Sequence, residues 1–383
     1  MLSSIVTLAL AAIAPYTARA MSFDNSNTDS IKTTASTIAR SLVSLYPANT
    51  GILPAPYYWW QSGTTLDGLL SYYHITGDTT YNALATSAIL SQITPTNDFM
   101  KLPDCAGNDD QAWWALAAMS AAEYGLPTPA GSPSWLALAQ NVYNELVGRW
   151  DTARCNGGMK WKIDPTADGY HYKSTIANGL FFQLAARLGR FTGDADYLSW
   201  AEKAYDWTVS VGLIDNDFNV YDGTDDAKGS GCIDVDHDEW SYNVGVFMYG
   251  AAIMADKTGD TKWDSRTLGF IASTVRNFLN NGVLFEKQCE GKGDCNTDQA
   301  SFKAILARWM GATAVVYPDT AAAVQKVIGP SAIAFAGTFA SSQGAGDQLA
   351  ALDIVSASMC RGGNWGPGKP VMLGKKMAKR FVA

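Results

Sequence analysis

Two adjacent carboxylates, Asp109 and Asp110, stand in the run Gly107-Asn108-Asp109-Asp110-Gln111-Ala112-Trp113-Trp114. Asn108 reads as a helix N-cap with Gln111 three residues later, so both acids fall in the first turn of a helix. Successive helical residues point about 100° apart, which lets the two carboxyl groups diverge to roughly 5 Å. At that spacing one carboxylate can attack an anomeric carbon while the other moves a proton, with retention of configuration. Like charges so close do not ionise equally, and one of the pair is expected to keep its proton to higher pH. Taken alone the pair has a second reading, because acids favour helix N-termini through the helix dipole whatever else they do.

The chain offers little competing equipment. The patterns GxSxG, HExxH and GxxxxGK[ST] do not occur, which removes the usual serine hydrolase, zinc protease and P-loop arrangements. Its three histidines, His74, His171 and His237, lie in distant segments, so a zinc hydrolase or a histidine-based sugar epimerase would need nearly all of them. Asp215-Asn216-Asp217-Phe218-Asn219 begins like a calcium loop but has Val220 sixth and Asp226 twelfth; Asp234-Val235-Asp236-His237-Asp238 has Glu239 sixth and Gly245 twelfth. Neither matches the glycine and glutamate that such a loop needs, and no metal is expected. With 28 Lys+Arg against 36 Asp+Glu the net charge is −8, which argues against a nucleic-acid partner. Thirteen Trp, 17 Tyr and 14 Phe supply rings that stack on sugar faces. Carboxylates beside such rings are the equipment of a glycosidase, and that chemistry requires no cofactor.

Elements able to position the pair are helical. Thr76-Gly77-Asp78-Thr79-Thr80-Tyr81, Thr192-Gly193-Asp194-Ala195-Asp196-Tyr197 and Thr258-Gly259-Asp260-Thr261-Lys262-Trp263 share the form TGDxx[YW]. In each, glycine suits the left-handed residue that closes one helix, Asp or Thr caps the next, and the aromatic packs back at the corner. Apolar periodicity predicts helices near 31–46, 65–75, 79–92, 109–123, 134–148, 174–189, 195–210, 240–256, 262–279, 298–313, 319–328 and 346–359. Twelve helices in hairpins, without a short solenoid repeat, predict an all-α (α/α)6 barrel, a toroid of six hairpins, with an open helical array as the alternative. Unequal loops at 47–64, 93–108, 150–173 and 211–239 carry the polar and aromatic residues that would build a site at one rim.

Residues 1–20 contain an apolar run from Ile5 to Ala14 and end in Ala18-Arg19-Ala20, the pattern of a cleaved secretory signal. Pro15, Thr17 and Arg19 end the run too early for a spanning helix. Residues 21–383 are then expected to form one catalytic domain of a secreted or cell-wall protein. Six cysteines without CxxC spacing suit disulfides better than zinc. Cys289 and Cys295 bracket the turn EGKGD and are expected to pair, while Cys105, Cys155, Cys232 and Cys360 leave their pairing open. No Asn-x-Ser/Thr site occurs, and the C-terminal PVMLGKKMAKRFVA lacks the hydrophobic tail of a GPI signal.

In chain order, Pro56-Tyr57-Tyr58-Trp59-Trp60-Gln61-Ser62-Gly63, the Asp pair, Cys155-Asn156-Gly157-Gly158-Met159-Lys160-Trp161, Tyr172-Lys173-Ser174-Thr175-Ile176-Ala177-Asn178-Gly179, Trp240-Ser241-Tyr242-Asn243-Val244-Gly245 and Phe302-Lys303-Ala304 form a set. Together, over roughly residues 30–330, they resemble glycoside hydrolase family 76, the endo-α-1,6-mannanases, and within it the fungal cell-wall branch of Dfg5- and Dcw1-like proteins. The resemblance implies an (α/α)6 barrel, with Asp109 as nucleophile and Asp110 as general acid/base. It further implies Trp59, Gln61, Trp161, Lys173, Asn178, Tyr242, Asn243 and Lys303 as substrate contacts, with Trp59 and Trp161 as stacking platforms. It also implies an α-1,6-mannan or GPI-core mannoside as substrate, and a β-glucan as an acceptor in transfer. Ala304 departs from the glycine of the family pattern. Bland readings stand beside these: core packing for Trp113 and Trp114, capping for Asn178 and Asn243, an exposed helix start for Lys173. Asp236, His237 and Asp238 form a polar loop that either binds a sugar hydroxyl or is simply solvated. A non-catalytic mannan-binding or wall-anchoring protein with the same aromatic cleft is the rival to the enzyme.

Overall fold

The computed structural model describes residues 23–47, 50–100, 106–227, 231–341 and 344–361; the expected leader, Cys105 and the C-terminal segment lie outside the described residues. Twelve α-helices are formed among them: α1 (Thr28–Val43), α2 (Trp59–Thr76), α3 (Asn82–Ser91), α4 (Asn108–Glu123), α5 (Trp135–Gly148), α6 (Thr175–Thr192), α7 (Ala195–Ser210), α8 (Ser241–Thr258), α9 (Thr261–Asn277), α10 (Gln299–Val316), α11 (Ala321–Thr338) and α12 (Ala345–Ala357). The even-numbered helices pack one against the next, and α12 returns to α2, closing an inner ring; odd-numbered helices pack outside. This is the predicted (α/α)6 barrel rather than an open array. Inner helices such as α4 and α6 are buried on nearly every face, whereas α1 and α9 bury one stripe, as their places in two concentric layers require.

The TGD turns form as their residue types dictate. Gly77, Gly193 and Gly259 take φ of 78°, 80° and 66°, which glycine adopts without a Cβ penalty. In each turn the threonine hydroxyl bonds back to the helix four residues earlier. It also accepts the aspartate N–H at 3.2 Å. Asp194 and Asp260 then cap α7 and α9. Asp78 bonds Thr80 N at 2.9 Å instead, and α3 begins only after Tyr81.

Two helices differ from the periodicity reading. α2 starts six residues before the expected 65, because Gln61 Oε1 accepts the Tyr58 N–H at 2.9 Å and caps a turn whose Gly and Thr content reads as loop. α11 continues past the expected 328 through Pro330. Short strands not expected from sequence sit at the rim: β1 (Tyr172–Ser174), β2 (Gly223–Asp225) and β3 (Val235–Asp236) make an antiparallel sheet, and β4 (Leu279–Asn280) pairs with β5 (Val283–Leu284).

Cys289 pairs with Cys295 as expected, and Cys155 with Cys232. Cys360 is buried as a free thiol, which corrects the expectation that the cysteines serve disulfides throughout.

Ring closure is held by buried charge. Arg308 of α10 pairs with Asp67 of α2 at 2.8 Å and with Asp353 of α12 at 3.2 Å. It also donates to the carbonyl and hydroxyl of Thr64, both at 2.8 Å. Arg187 binds Glu123 at 2.8 Å between α6 and α4, and Arg190 binds Asp256 at 2.9 Å between α6 and α8. Removing one partner of such a cluster strands the others in low dielectric. Arg308→Leu should therefore lower unfolding free energy by about 3–5 kcal/mol, read by urea denaturation; a loss below about 1 kcal/mol would place ring closure elsewhere.

Candidate active site

The inner helices begin at one end of the ring. Trp59 and Trp60 of α2, Asp109, Asp110 and Trp113 of α4, Ser174 and Ile176 at the start of α6, Tyr242 of α8, and Asp298 and Phe302 at the start of α10 line one cavity. Its volume is about 440 Å³, and Tyr58, Trp161, Lys162, Tyr172 and Asp222 complete its wall. The macrodipole of each helix thus presents its positive end to this space, where it favours negative charge.

At the start of α4 the chain runs antiparallel to the 161–163 segment. Asn108 N bonds Trp161 O at 2.9 Å and Ile163 N bonds Ala106 O at 2.8 Å, with Gly107 opposite Lys162. The N-cap is Gly107, not Asn108 as expected from sequence. Asn108 instead spans the loop, donating to Lys160 O at 2.8 Å and accepting from Arg149 Nε at 2.7 Å. Asp110 takes the reciprocal capping role, accepting the Gly107 N–H at 3.1 Å. A Cβ on residue 107 would stand 2.3 Å from Asp109 Oδ1 and 2.6 Å from Asp110 Oδ2. Those two oxygens therefore lie no more than about 5 Å apart, too close for the wider gap of an inverting pair.

Trp161 Nε1 donates to Asp109 Oδ2 at 3.0 Å, and Asp109 Oδ1 is buried without a hydrogen-bond partner. Burial raises both carboxyls above the usual range; for Asp109 the charge of Asp110 adds to this, and Lys162 opposes the rise in each. Two further acids face the cavity. Burial pushes Asp222 up to about 6, against the hydrogen bond from Tyr172 OH at 2.7 Å. Asp298 also rises to about 6, through burial, against the bond from Trp60 Nε1 at 3.0 Å and with the charge of Asp110 adding to the rise.

Of the expected contacts, Trp59, Trp161 and Tyr242 line the cavity. Trp59 stacks on Trp114 at 5.1 Å and Tyr242 on Phe302 at 3.9 Å. Trp113, readable as core, lines the floor while stacking on Trp309 at 5.7 Å, and Trp114 stays beneath as core. Gln61, Lys173, Asn178, Asn243 and Lys303 are not among the cavity's lining residues. Gln61 is buried, binding Thr297 O at 2.8 Å. Lys173 is wholly buried, its ammonium held by the carbonyls of Asp151, Arg154 and Gly157 and by Asp151 at 3.1 Å; it is no exposed helix start. Asn178 fixes the same loop by accepting Met159 N at 2.7 Å and donating to Met159 O at 3.0 Å, so the capping role weighed for it is not the one it plays. Asn243 is buried, and Lys303 pairs with Glu290. Gln61, Lys173 and Asn178 thus secure loops behind the wall, because each finds backbone partners that a sugar cannot displace.

The Lys173 and Asn178 anchors hold residues 150–161, and the Cys155–Cys232 link joins them to the loop before α8. Sequence reasoning passed over Trp60, Tyr172, Lys162, Asp222 and Asp298. Trp60 and Tyr172 stood in the quoted motifs and were readable there; the other three carry no periodic signal. No histidine lines the cavity. His74 stacks on Tyr124 at 4.1 Å, His171 binds buried Asp226 at 2.8 Å, and His237 packs on Tyr221 at 4.5 Å. Asp215 closes its own turn by accepting the N–H groups of Asp217 and Asn219, each at 2.9 Å. Among the described residues no group of three or more His, Cys, Asp or Glu is placed to hold a metal.

Two outcomes follow from this geometry. Gly107→Ala should displace the pair and cut kcat/KM at least about a hundredfold, measured beside thermal stability to show that the ring survives. The raised carboxyls mean that the folded state keeps protons which the unfolded chain has released, so stability falls as pH rises from the ordinary carboxylate range towards neutrality. Asp109→Asn should therefore raise Tm at pH 7 and leave it near the parent value at pH 4; a uniform shift would show that charge burial is not the cause.

The family model described as Glycosyl hydrolase family 76 matches residues 30–368. Mannan endo-1,6-alpha-mannosidase DCW1 of Saccharomyces cerevisiae is 38% identical over 88% of this chain and 80% of its own. The protein of the same name from Eremothecium gossypii is 37% identical over 95% and 88%. The crystal structure of Dfg5 from Chaetomium thermophilum, in complex with glucosamine, superposes with a TM-score of 0.85 at 34% identity, covering 92% of this chain and 94% of that one. An inactive variant of an alpha-1,6-mannanase from Salegentibacter sp. HEL1_6, in complex with alpha-1,6-mannotriose, shares the fold at a TM-score of 0.70 and 19% identity, over 86% and 98%. With its ring of twelve helices and a match across most of its length, the chain belongs to glycosyl hydrolase family 76.

Proposed function

We propose that this protein is a retaining endo-α-1,6-mannosidase or transglycosidase, of the mannan endo-1,6-α-mannosidase type that its relatives' names describe. The observation that carries the reading is the adjacent Asp109–Asp110 pair set among indole rings in one cavity. A mannosyl unit held against Trp59 and Trp161 presents its anomeric carbon to Asp109, whose free oxygen attacks while Asp110 gives its proton to the departing glycosidic oxygen. The bond formed is mannosyl–Asp109 and the bond broken is the α-1,6 linkage. Asp110, now ionised, takes a proton from water or from a sugar hydroxyl, and that oxygen displaces Asp109. Water gives hydrolysis; a sugar gives transfer.

The substrate is α-1,6-mannan or the mannose core of a GPI glycan, with a β-glucan as acceptor when transfer occurs. Its place is outside the cell or in the wall, reached through the leader at 1–20, with 21–383 as one catalytic domain. No described helix is long and apolar enough to cross a membrane. Of the contacts drawn from the family resemblance, Trp59, Trp161 and Tyr242 touch substrate, and Gln61, Lys173, Asn178 and Lys303 act by holding the wall.

The test is product mass from α-1,6-mannooligosaccharides, with and without a glucan acceptor. Asp109→Ala and Asp110→Ala should each cost at least about a thousandfold in kcat/KM. Azide should rescue both, giving a mannosyl azide of inverted configuration from Asp109→Ala and of retained configuration from Asp110→Ala; the opposite assignment would exchange the two roles. Binding of mannan by the parent protein without shortened or transferred products would instead make this a wall-binding protein.

A further inference from the structure

Four acids, Asp109, Asp110, Asp222 and Asp298, line the cavity, and among its lining residues Lys162 is the only lysine or arginine. Its ammonium lies 3.9 Å from the ring centroid of Trp161, the indole whose N–H donates to Asp109 Oδ2 at 3.0 Å. Among the described residues Lys162 makes no ion pair, unlike Lys160, which is held by Asp226 and, at 3.3 Å, by Asp151. Its backbone is fixed opposite Gly107, the N-cap of the helix that carries the acids. Lys162 also lines a second cleft of about 330 Å³ with Asn108, Arg149 and Lys160, so the residue forms part of the wall between the two spaces.

We propose that Lys162 is a positioning residue whose ammonium, seated on the face of Trp161, holds the titration of the Asp109–Asp110 pair below where burial alone would put it. Two effects of the same sign operate. Through space, a cation favours the anionic form of a nearby carboxyl. Through the ring, a cation over the indole face draws electron density towards itself, which makes the N–H a stronger donor to Asp109. The groups facing the pair from the other walls are Asp298, just before α10, Asp222, from the segment before β2, Tyr172 of β1 and Tyr242 of α8. Buried beside these two further acids, a pair lacking this cation would hold its protons to higher pH, and less of it would be free to attack as the pH falls.

This inference rests on the catalytic reading above, so its test has an arm independent of turnover. Protein labelled with [4-13C]aspartate is titrated by NMR, the pair's resonances being assigned from Asp109→Asn and Asp110→Asn spectra. In Lys162→Met the titration of the pair should move up by roughly one pH unit; Lys162→Arg, which keeps the charge, should stay near the parent. In kinetics the acid limb of kcat/KM should move with it, a loss of roughly tenfold on that limb and a smaller one at neutral pH. A Lys162→Met titration that matches the parent, or a Lys162→Arg titration displaced as far as that of Lys162→Met, would overturn the role of the charge. A raised KM with an unmoved limb would do the same, marking Lys162 as a substrate contact. Displaced titration in a protein that leaves α-1,6-mannosides intact would uphold the electrostatic role and sink the catalytic reading instead.

Discussion

The backbone of residues 106–108 lies against that of 161–163, and the missing side chain of Gly107 is what allows both acids of the pair to share that corner. One amide caps the helix through Asp110, the neighbouring amide binds the Trp161 carbonyl, and the indole returns a hydrogen bond to Asp109. Each of these is an ordinary interaction. Their coincidence at one residue fixes the distance between the carboxyls, the donor to one of them and the ring beside them together. The Lys173 and Asn178 anchors, the Cys155–Cys232 link and the sheet at the rim all serve to deliver residues 157–163 to that position.

Electrostatically the cavity is a balance. Buried acids resist ionisation, and the inner helices that start at the cavity and Lys162 act against that resistance. For the mechanism proposed above, too much positive field would ionise both members of the pair and leave no acid to protonate the leaving group, and too little would leave no nucleophile. The raised carboxyls of Asp109 and Asp110 carry a cost in stability that the ring can bear, since Arg308, Arg187 and Arg190 clamp the inner helices to one another.

The helical hairpins were legible because their signals are local: an apolar period, a glycine at positive φ, an aspartate cap. The Asp pair was legible because adjacency in sequence is adjacency in space. Roles assigned by motif separated along chemical lines. Trp59, Trp161 and Tyr242 reached the cavity because a ring can bury one face in the wall and offer the other. Lys173 and Asn178 did not, because both carry donors that buried loop carbonyls need more than solvent does. Asp222 and Asp298 were not legible at all, since their place is set by how β2 and α10 are packed rather than by any pattern near them. The early start of α2 was hidden for the same reason: its Gly and Thr residues suit burial on all sides, which a period cannot register.

Along the ring axis the even helices all run the same way, with chemistry at their starts and the Arg187–Glu123 and Arg190–Asp256 pairs near their finishes. The two ends of the molecule are therefore separable in inheritance as well as in space. Loops at the opening can lengthen, shorten or exchange aromatic residues without touching the Arg187 and Arg190 links at the far end. Substitutions at the far end can tune heat tolerance without altering what the opening admits. A barrel of this kind lets recognition and durability drift independently, joined chiefly through the handful of residues at the mouth of α4.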